Sequence, residues 1–125
     1  MFHVKPCLAD ECDKIYAEVL GGAALPAGID VGLFDNEELI GAARVSFGED
    51  VAVLEAVCLI ERARGNGLGD FLTRAVMDAY TRSLPAFKVA YKSDYFLKFG
   101  FAESADGMSI NSEEIRFPSH CGGHK

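Results

Sequence analysis

Apolar residues change their spacing several times along this chain, and each change marks an element. Over residues 8–20 they fall at Leu8, Cys12, Ile15, Tyr16, Val19 and Leu20, three and four apart, which predicts an amphipathic helix with Asp10 and Glu11 in its first turn. Gly21 and Gly22 end it, and a loop through Pro26 and Gly28 follows. Three segments rich in Val, Leu, Ile and Ala, residues 29–34, 38–47 and 51–60, then predict strands joined as hairpins at the clusters Asp35-Asn36-Glu37 and Gly48-Glu49-Asp50. The third, VAVLEAVCLI, is apolar on both alternating faces, as a strand covered by helices on both sides would be, and only Glu55 interrupts it.

Beyond Gly69 the period returns to that of a helix. Leu68, Phe71, Leu72, Ala75, Val76, Ala79 and Tyr80 line one side, with Asp70, Arg74, Asp78 and Arg82 on the other. Pro85 introduces a strand over 86–91, so strand, helix and strand follow within some forty residues and imply a parallel crossover. Ser93 reads as the N-cap of a short helix DYFLKF that Gly100 stops, and residues 108–111 and 114–117 are expected as final strands.

Composition bounds the function. A chain of 125 residues, half of them hydrophobic, is the size of one domain with a real core. No apolar run approaches the roughly 20 residues needed to span a bilayer, and the N-terminus lacks the layout of a secretory signal, so a soluble, cytoplasmic protein without membrane contact is expected. Cys7, Cys12, Cys58 and Cys121 have no framework spacing. The net charge of -7 argues against nucleic acid as a partner, because such affinity rests on Lys and Arg neutralising phosphates.

The densest chemistry lies in ERARGNGLGDFL, residues 61–72. A buried strand running through glycines into a helix presents successive backbone N–H groups, a site for phosphate. It is not a P-loop, since no Lys follows the glycines. Nor is it a dinucleotide fingerprint: Asp70 stands where the last glycine belongs, and too little chain follows. The remaining pattern is Arg-x-x-Gly-x-Gly, formed by Arg64, Gly67 and Gly69.

With that pattern the chain resembles the GNAT superfamily of acetyl-CoA-dependent N-acetyltransferases, whose signature is Q/R-x-x-G-x-G/A between a central strand and a helix. The strand ELIGAARV before it, residues 38–45, and the late segment YFLKFGF, residues 95–101, extend the resemblance over roughly residues 29–101. It implies an α/β (α+β) GNAT fold: a mixed, mostly antiparallel sheet with a splayed parallel strand pair, flanked by helices. It also implies transfer of an acetyl group from acetyl-CoA to a primary amine, on a small molecule or a peptide, by direct attack in a ternary complex. The alternative is a non-catalytic acyl-CoA-binding sensor or assembly module.

By the same resemblance the N–H groups of Gly65, Asn66, Gly67, Leu68, Gly69 and Asp70 hold the coenzyme pyrophosphate, with Arg64 and Arg62 adding charge. Asp70 is expected to turn to solvent. The pantetheine arm lies against the backbone of Val57, Leu59 and Ile60. Glu55, the only ionisable residue of its strand, is the candidate base; desolvation is expected to raise its pKa, and it is expected to share a face with Val53, Val57 and Leu59. A structural pairing with Arg44 is the competing role. Family members often carry a Tyr acid four residues before the glycine of the late Gly-Phe pair, where this chain has Phe96, here counted among the coenzyme-lining residues. Tyr95 is the candidate acid, Tyr91 a second one, and water could also serve.

His120, Cys121 and His124 near the C-terminus are metal-ligand types, but adjacent His and Cys do not readily face one ion. No metal is expected, and residues 118–125 are expected to be a flexible tail to a single domain. A homodimer stays open.

Overall fold

The computed structural model describes residues 1–21 and 25–117, so the tail containing His120, Cys121 and His124 lies outside the described residues. The described residues form a seven-stranded sheet, β1 (Phe2–Cys7), β2 (Ile29–Asp35), β3 (Glu38–Gly48), β4 (Val51–Leu59), β5 (Ala86–Val89), β6 (Ala102–Glu103) and β7 (Met108–Asn111), in the order β1-β2-β3-β4-β5-β7-β6. All neighbours are antiparallel except β4 and β5. Two helices, α1 (Ala9–Leu20) and α2 (Leu68–Thr81), complete the fold, with α2 as the crossover between the parallel strands. Among the described residues no helix is long and apolar enough to cross a membrane.

The two helices cover opposite faces of the sheet. Cys12, Ile15 and Tyr16 of α1 bury against Ala42, Ala56 and Cys58, whereas Leu72, Val76 and Met77 of α2 bury in a larger cluster with Ala43, Val45, Ala52 and Leu54. Ala42 and Ala43 are neighbours on β3, so their side chains point to opposite faces. Both faces of β3 and β4 are therefore covered, as the run VAVLEAVCLI requires. Asn36 and Asp50 take positive φ in the two hairpin turns, a conformation these residue types tolerate.

The structure departs from the sequence pattern in three places. Phe2–Cys7 forms an edge strand that carries no alternation and contains Pro6, which is tolerated at a sheet edge because no further ladder bond is required there. Residues 114–117 are not a strand: Ser112–Glu114 is a 3₁₀ turn, and the Arg116 N–H donates to the Phe99 carbonyl at 2.9 Å. Pairing of β5 also ends at Val89. The predicted Ser93 cap is present, its Oγ accepting from the Tyr95 N–H at 3.3 Å, and Gly100 closes that turn at φ 100°.

One irregularity shapes the centre of the sheet. Arg44 pairs with Ala56 but Val45 pairs with Leu54, which leaves Glu55 as the extra residue of a β-bulge. The bulge reverses the alternation of β4. Ala52 and Leu54 bury beneath α2, while Ala56 and Cys58 bury beneath α1. Val57 and Leu59 consequently pack toward α2, and Glu55 does not share a face with them as simple alternation predicts.

Candidate active site

The bulge coincides with a fork in the sheet. β5 runs beside β4 from Val51↔Ala86 to Leu54↔Val89, and the Ala90 N–H makes a last bond to the Leu54 carbonyl at 2.9 Å. From Glu55 to Leu59, β4 pairs only with β3 among the described residues. The Ile60 N–H donates to the Ile40 carbonyl at 3.0 Å, so antiparallel alternation turns the peptide groups of Leu59 and Val57 away from β3 and into the gap. Arg64 reports that direction: its Nε and Nη2 donate to the Leu59 carbonyl at 3.2 and 3.1 Å. Of the three residues expected to line the gap, Val57 and Leu59 thus face it, whereas the Ile60 N–H already has a partner.

The glycine turn follows at the open end of the gap. Gly65 and Gly67 adopt φ of 86° and 76°, which only glycine takes without strain. A Cβ at either would meet nothing within 4 Å, so the backbone there is uncovered. Gly67 caps α2 without a side-chain hydrogen bond, and its carbonyl accepts from the Phe71 N–H at 3.0 Å. Among the described residues the N–H groups of Gly65, Asn66, Gly67, Leu68 and Gly69 donate to no protein group. They form an anion cradle, reinforced by the dipole of a 14-residue helix. Arg64 braces this turn against β4, and Arg62 is paired with Glu38.

Asp70 does not turn to solvent. It accepts from the Tyr95 hydroxyl and from Arg74 Nε at 2.9 Å, with Lys98 Nζ at 3.7 Å. Burial by itself would raise the Asp70 carboxyl, but the donated hydrogen bonds and the two cations hold it below the usual carboxylate range. Its charge is thereby paired and ties α2 to the turn Asp94–Phe99. Burial and Asp70 together push the Tyr95 hydroxyl well above its ordinary value. Phe96 is 1% exposed and packs its ring against those of Tyr91, Tyr95 and Phe101. Tyr91, just beyond β5, remains partly exposed beside Phe96; burial and the nearby Cys58 push its hydroxyl up to about 12.

Glu55 is half-buried, and its Oε2 accepts from Ser46 Oγ at 2.6 Å. Arg44, the expected structural partner, belongs instead to Asp30, whose Oδ1 lies 2.6 Å from Arg44 Nε. Among the described residues Glu55 therefore carries no ion pair, and it faces a cleft of about 440 Å³ lined by Val53, Lys88, Ala90, Ser104 and Asp106 among others. The far wall is the turn between β6 and β7, closed by the Ser104 N–H on the Gly107 carbonyl at 2.8 Å. That wall is held by a close approach, since a Cβ on Gly107 would lie 1.9 Å from the Val89 carbonyl oxygen. Gly107→Ala is expected to cost about 1–3 kcal/mol, the usual range for overpacking, measurable by urea unfolding. A change below a few tenths would mean that the turn yields freely.

Sequence reasoning missed Ser46, Lys88 and the Ser104–Gly107 turn as cleft components. None lies in a motif, and the one signal that could have found any of them is the turn-forming pair Asp106-Gly107.

The match to known proteins follows this geometry. A model of the acetyltransferase (GNAT) family matches residues 5–101. The chain belongs to this family. The ribosomal-protein-S18-alanine N-acetyltransferase from Escherichia coli is similar in fold, with a TM-score of 0.70 at 15% identity over 96% of this chain and 97% of that one. A putative N-acetyl transferase from E. coli, YhhK, bound to coenzyme A, gives 0.66 at 15% identity over 89% and 98%. A KacTA–DNA complex gives 0.66 at 12% identity over 92% and 96%. At such identities the likeness establishes the GNAT fold alone. The presence of a DNA complex among these structures means that this fold does not exclude nucleic acid, and the expectation of none rests on net charge only. Comparison with curated proteins returns no match.

Proposed function

We propose that this GNAT domain transfers an acetyl group from acetyl-CoA to a primary amine by direct attack in a ternary complex. The observation that carries this is the fork after Leu54, which leaves the outward peptide groups of Val57 and Leu59 in line with the glycine cradle. A pantetheine arm needs peptide partners along an extended edge and a pyrophosphate needs clustered N–H donors; the two stand end to end here.

The thioester supplies an activated acyl carbon and a good leaving group. The Val57 N–H, the first outward donor beyond the bulge, is placed to polarise the thioester carbonyl. Glu55 takes a proton from the substrate ammonium, directly or through water, with Ser46 fixing the carboxylate. The amine nitrogen forms the amide bond as the carbon–sulfur bond breaks, and the second amine proton ends on the coenzyme sulfur. Tyr91 is the favoured donor of that proton: it stays protonated near neutral pH and is partly exposed beside the gap, whereas the Tyr95 hydroxyl is engaged with Asp70.

Acetyl-CoA at a hundred times its dissociation constant is expected to stabilise the protein by about 2.7 kcal/mol, a rise in Tm on the order of 10 °C. Gly67→Ala places a side chain at φ 76°, so its ligand-free stability should fall by about 1–2 kcal/mol and most of the coenzyme-induced rise should vanish. A full rise in that variant would place the coenzyme elsewhere. The buried Phe96 favours a second reading, a non-catalytic acyl-CoA-binding module. It predicts the same Tm rise without consumption of thioester by any amine.

A further inference from the structure

Resting on that proposed reading, we propose that the acceptor is a small amino-carboxylate zwitterion, an α-amino acid or close analogue, its ammonium at Glu55 and its carboxylate at Lys88. The cleft beside Glu55 is not uniformly acidic. It is lined by two carboxylates, Glu55 and Asp106, and by one cation, Lys88. Among the described residues no carboxylate lies within ion-pair distance of Lys88. A simple alkylamine or a polyamine would satisfy the carboxylates but offer no anionic group to the Lys88 ammonium.

The register places the two charges at a useful spacing. Lys88 lies directly opposite Val53 in the parallel pair, and Glu55 is two residues further along β4, lining the same cleft. With strands about 4.8 Å apart and about 3.3 Å per residue, their Cα atoms lie roughly 8 Å apart, within reach of two long side chains. An ammonium and a carboxylate on one carbon fit between them. Ser104, in the turn that forms the far wall, lines the same cleft and carries a hydroxyl of the type that donates to a carboxylate.

Lys88 is not explained as a coenzyme ligand. Val53, its partner, is six residues from Leu59, and at about 3.3 Å per residue this puts Lys88 about 20 Å from the strand end that leads into the glycine cradle. Nor does α1 cover it, since α1 packs on β2, β3 and β4 while β5 packs against α2. Acetylation of the zwitterion removes its positive charge: the ammonium loses one proton to Glu55, the nitrogen bonds the acetyl carbon, and the second proton leaves with the coenzyme thiol. The product is an N-acetyl amino-carboxylate anion, which Asp106, and Glu55 once it has passed its proton to solvent, repel from the cleft.

The test is thioester consumption by the full chain with a panel of α-amino acids, each beside its carboxamide and its decarboxylated amine. The acid is expected to exceed its carboxamide in kcat/KM by at least about tenfold, the worth of a charge-assisted hydrogen bond. Lys88→Met should erase that preference mainly through KM, and Lys88→Arg should restore it. Carboxamides or plain amines that turn over as well as the acids would overturn the zwitterion while leaving acetyl transfer standing. So would turnover of none of the panel by a protein that acetyl-CoA still stabilises. Loss of the coenzyme-induced Tm rise in the wild type would instead remove the reading on which the inference rests.

Discussion

Glu55→Gln is expected to lower kcat by about 10²–10⁴-fold, the usual contribution of a positioned general base, while the acetyl-CoA-induced rise in Tm stays intact. The substitution is conservative for the fold. An amide oxygen still accepts from Ser46 Oγ, the β-bulge is a backbone feature, and among the described residues the half-buried position has no ion pair to break. What disappears is the capacity to take a proton from the ammonium. The activity of the variant should therefore climb with pH in step with the free-amine fraction of the substrate, and the gap to the wild type should narrow in alkali. Undiminished turnover at neutral pH would remove Glu55 from the mechanism. An equal loss at every pH would make it a structural element of the cleft.

The largest stability effect should come from the other side of the sheet. Asp30 is 6% exposed and its carboxylate accepts from the Tyr16 hydroxyl at 2.8 Å and from Arg44 Nε and Nη2 at 2.6 and 3.1 Å. Arg44 Nη1 continues to the Pro26 carbonyl at 3.0 Å, so the same guanidinium holds the loop entering β2. Asp30→Ala leaves the Arg44 charge buried, with the exposed Asp13 at 3.4 Å as its remaining carboxylate among the described residues. The expected loss is about 3–5 kcal/mol, seen as a fall in Tm of roughly 10–20 °C. The double variant Asp30→Leu, Arg44→Met should recover much of it, because burying an ion pair gains little over a well-packed apolar pair. A single-variant loss under 1 kcal/mol would show that water reaches the pair.

The two experiments probe features that differed in their visibility. The glycine stretch was legible because its demand is local: Gly65 and Gly67 sit at positive φ, a requirement written in residue type. The covered strand was legible for a similar reason, since two apolar faces need two helices. Glu55 stood out as a lone charge, but its surroundings did not. The bulge moves it off the face predicted by alternation, and Ser46, nine residues away, supplies the partner that Arg44 was expected to be. Asp70 was misplaced because its partners Tyr95 and Lys98 lie on another element.

By itself the sequence determined the order of the central elements, the two-sided burial of β4, the anion-binding turn and the resemblance to acetyltransferases, each a matter of short-range periodicity or backbone freedom. Only the tertiary structure decided where β5 leaves β4, which peptide groups face the gap, and that Lys88 and the Ser104–Gly107 turn share a cleft with Glu55. Those facts depend on strand register and on one extra residue in a ladder. A single-residue shift in either changes every cross-strand neighbour while leaving the pattern along the chain unaltered.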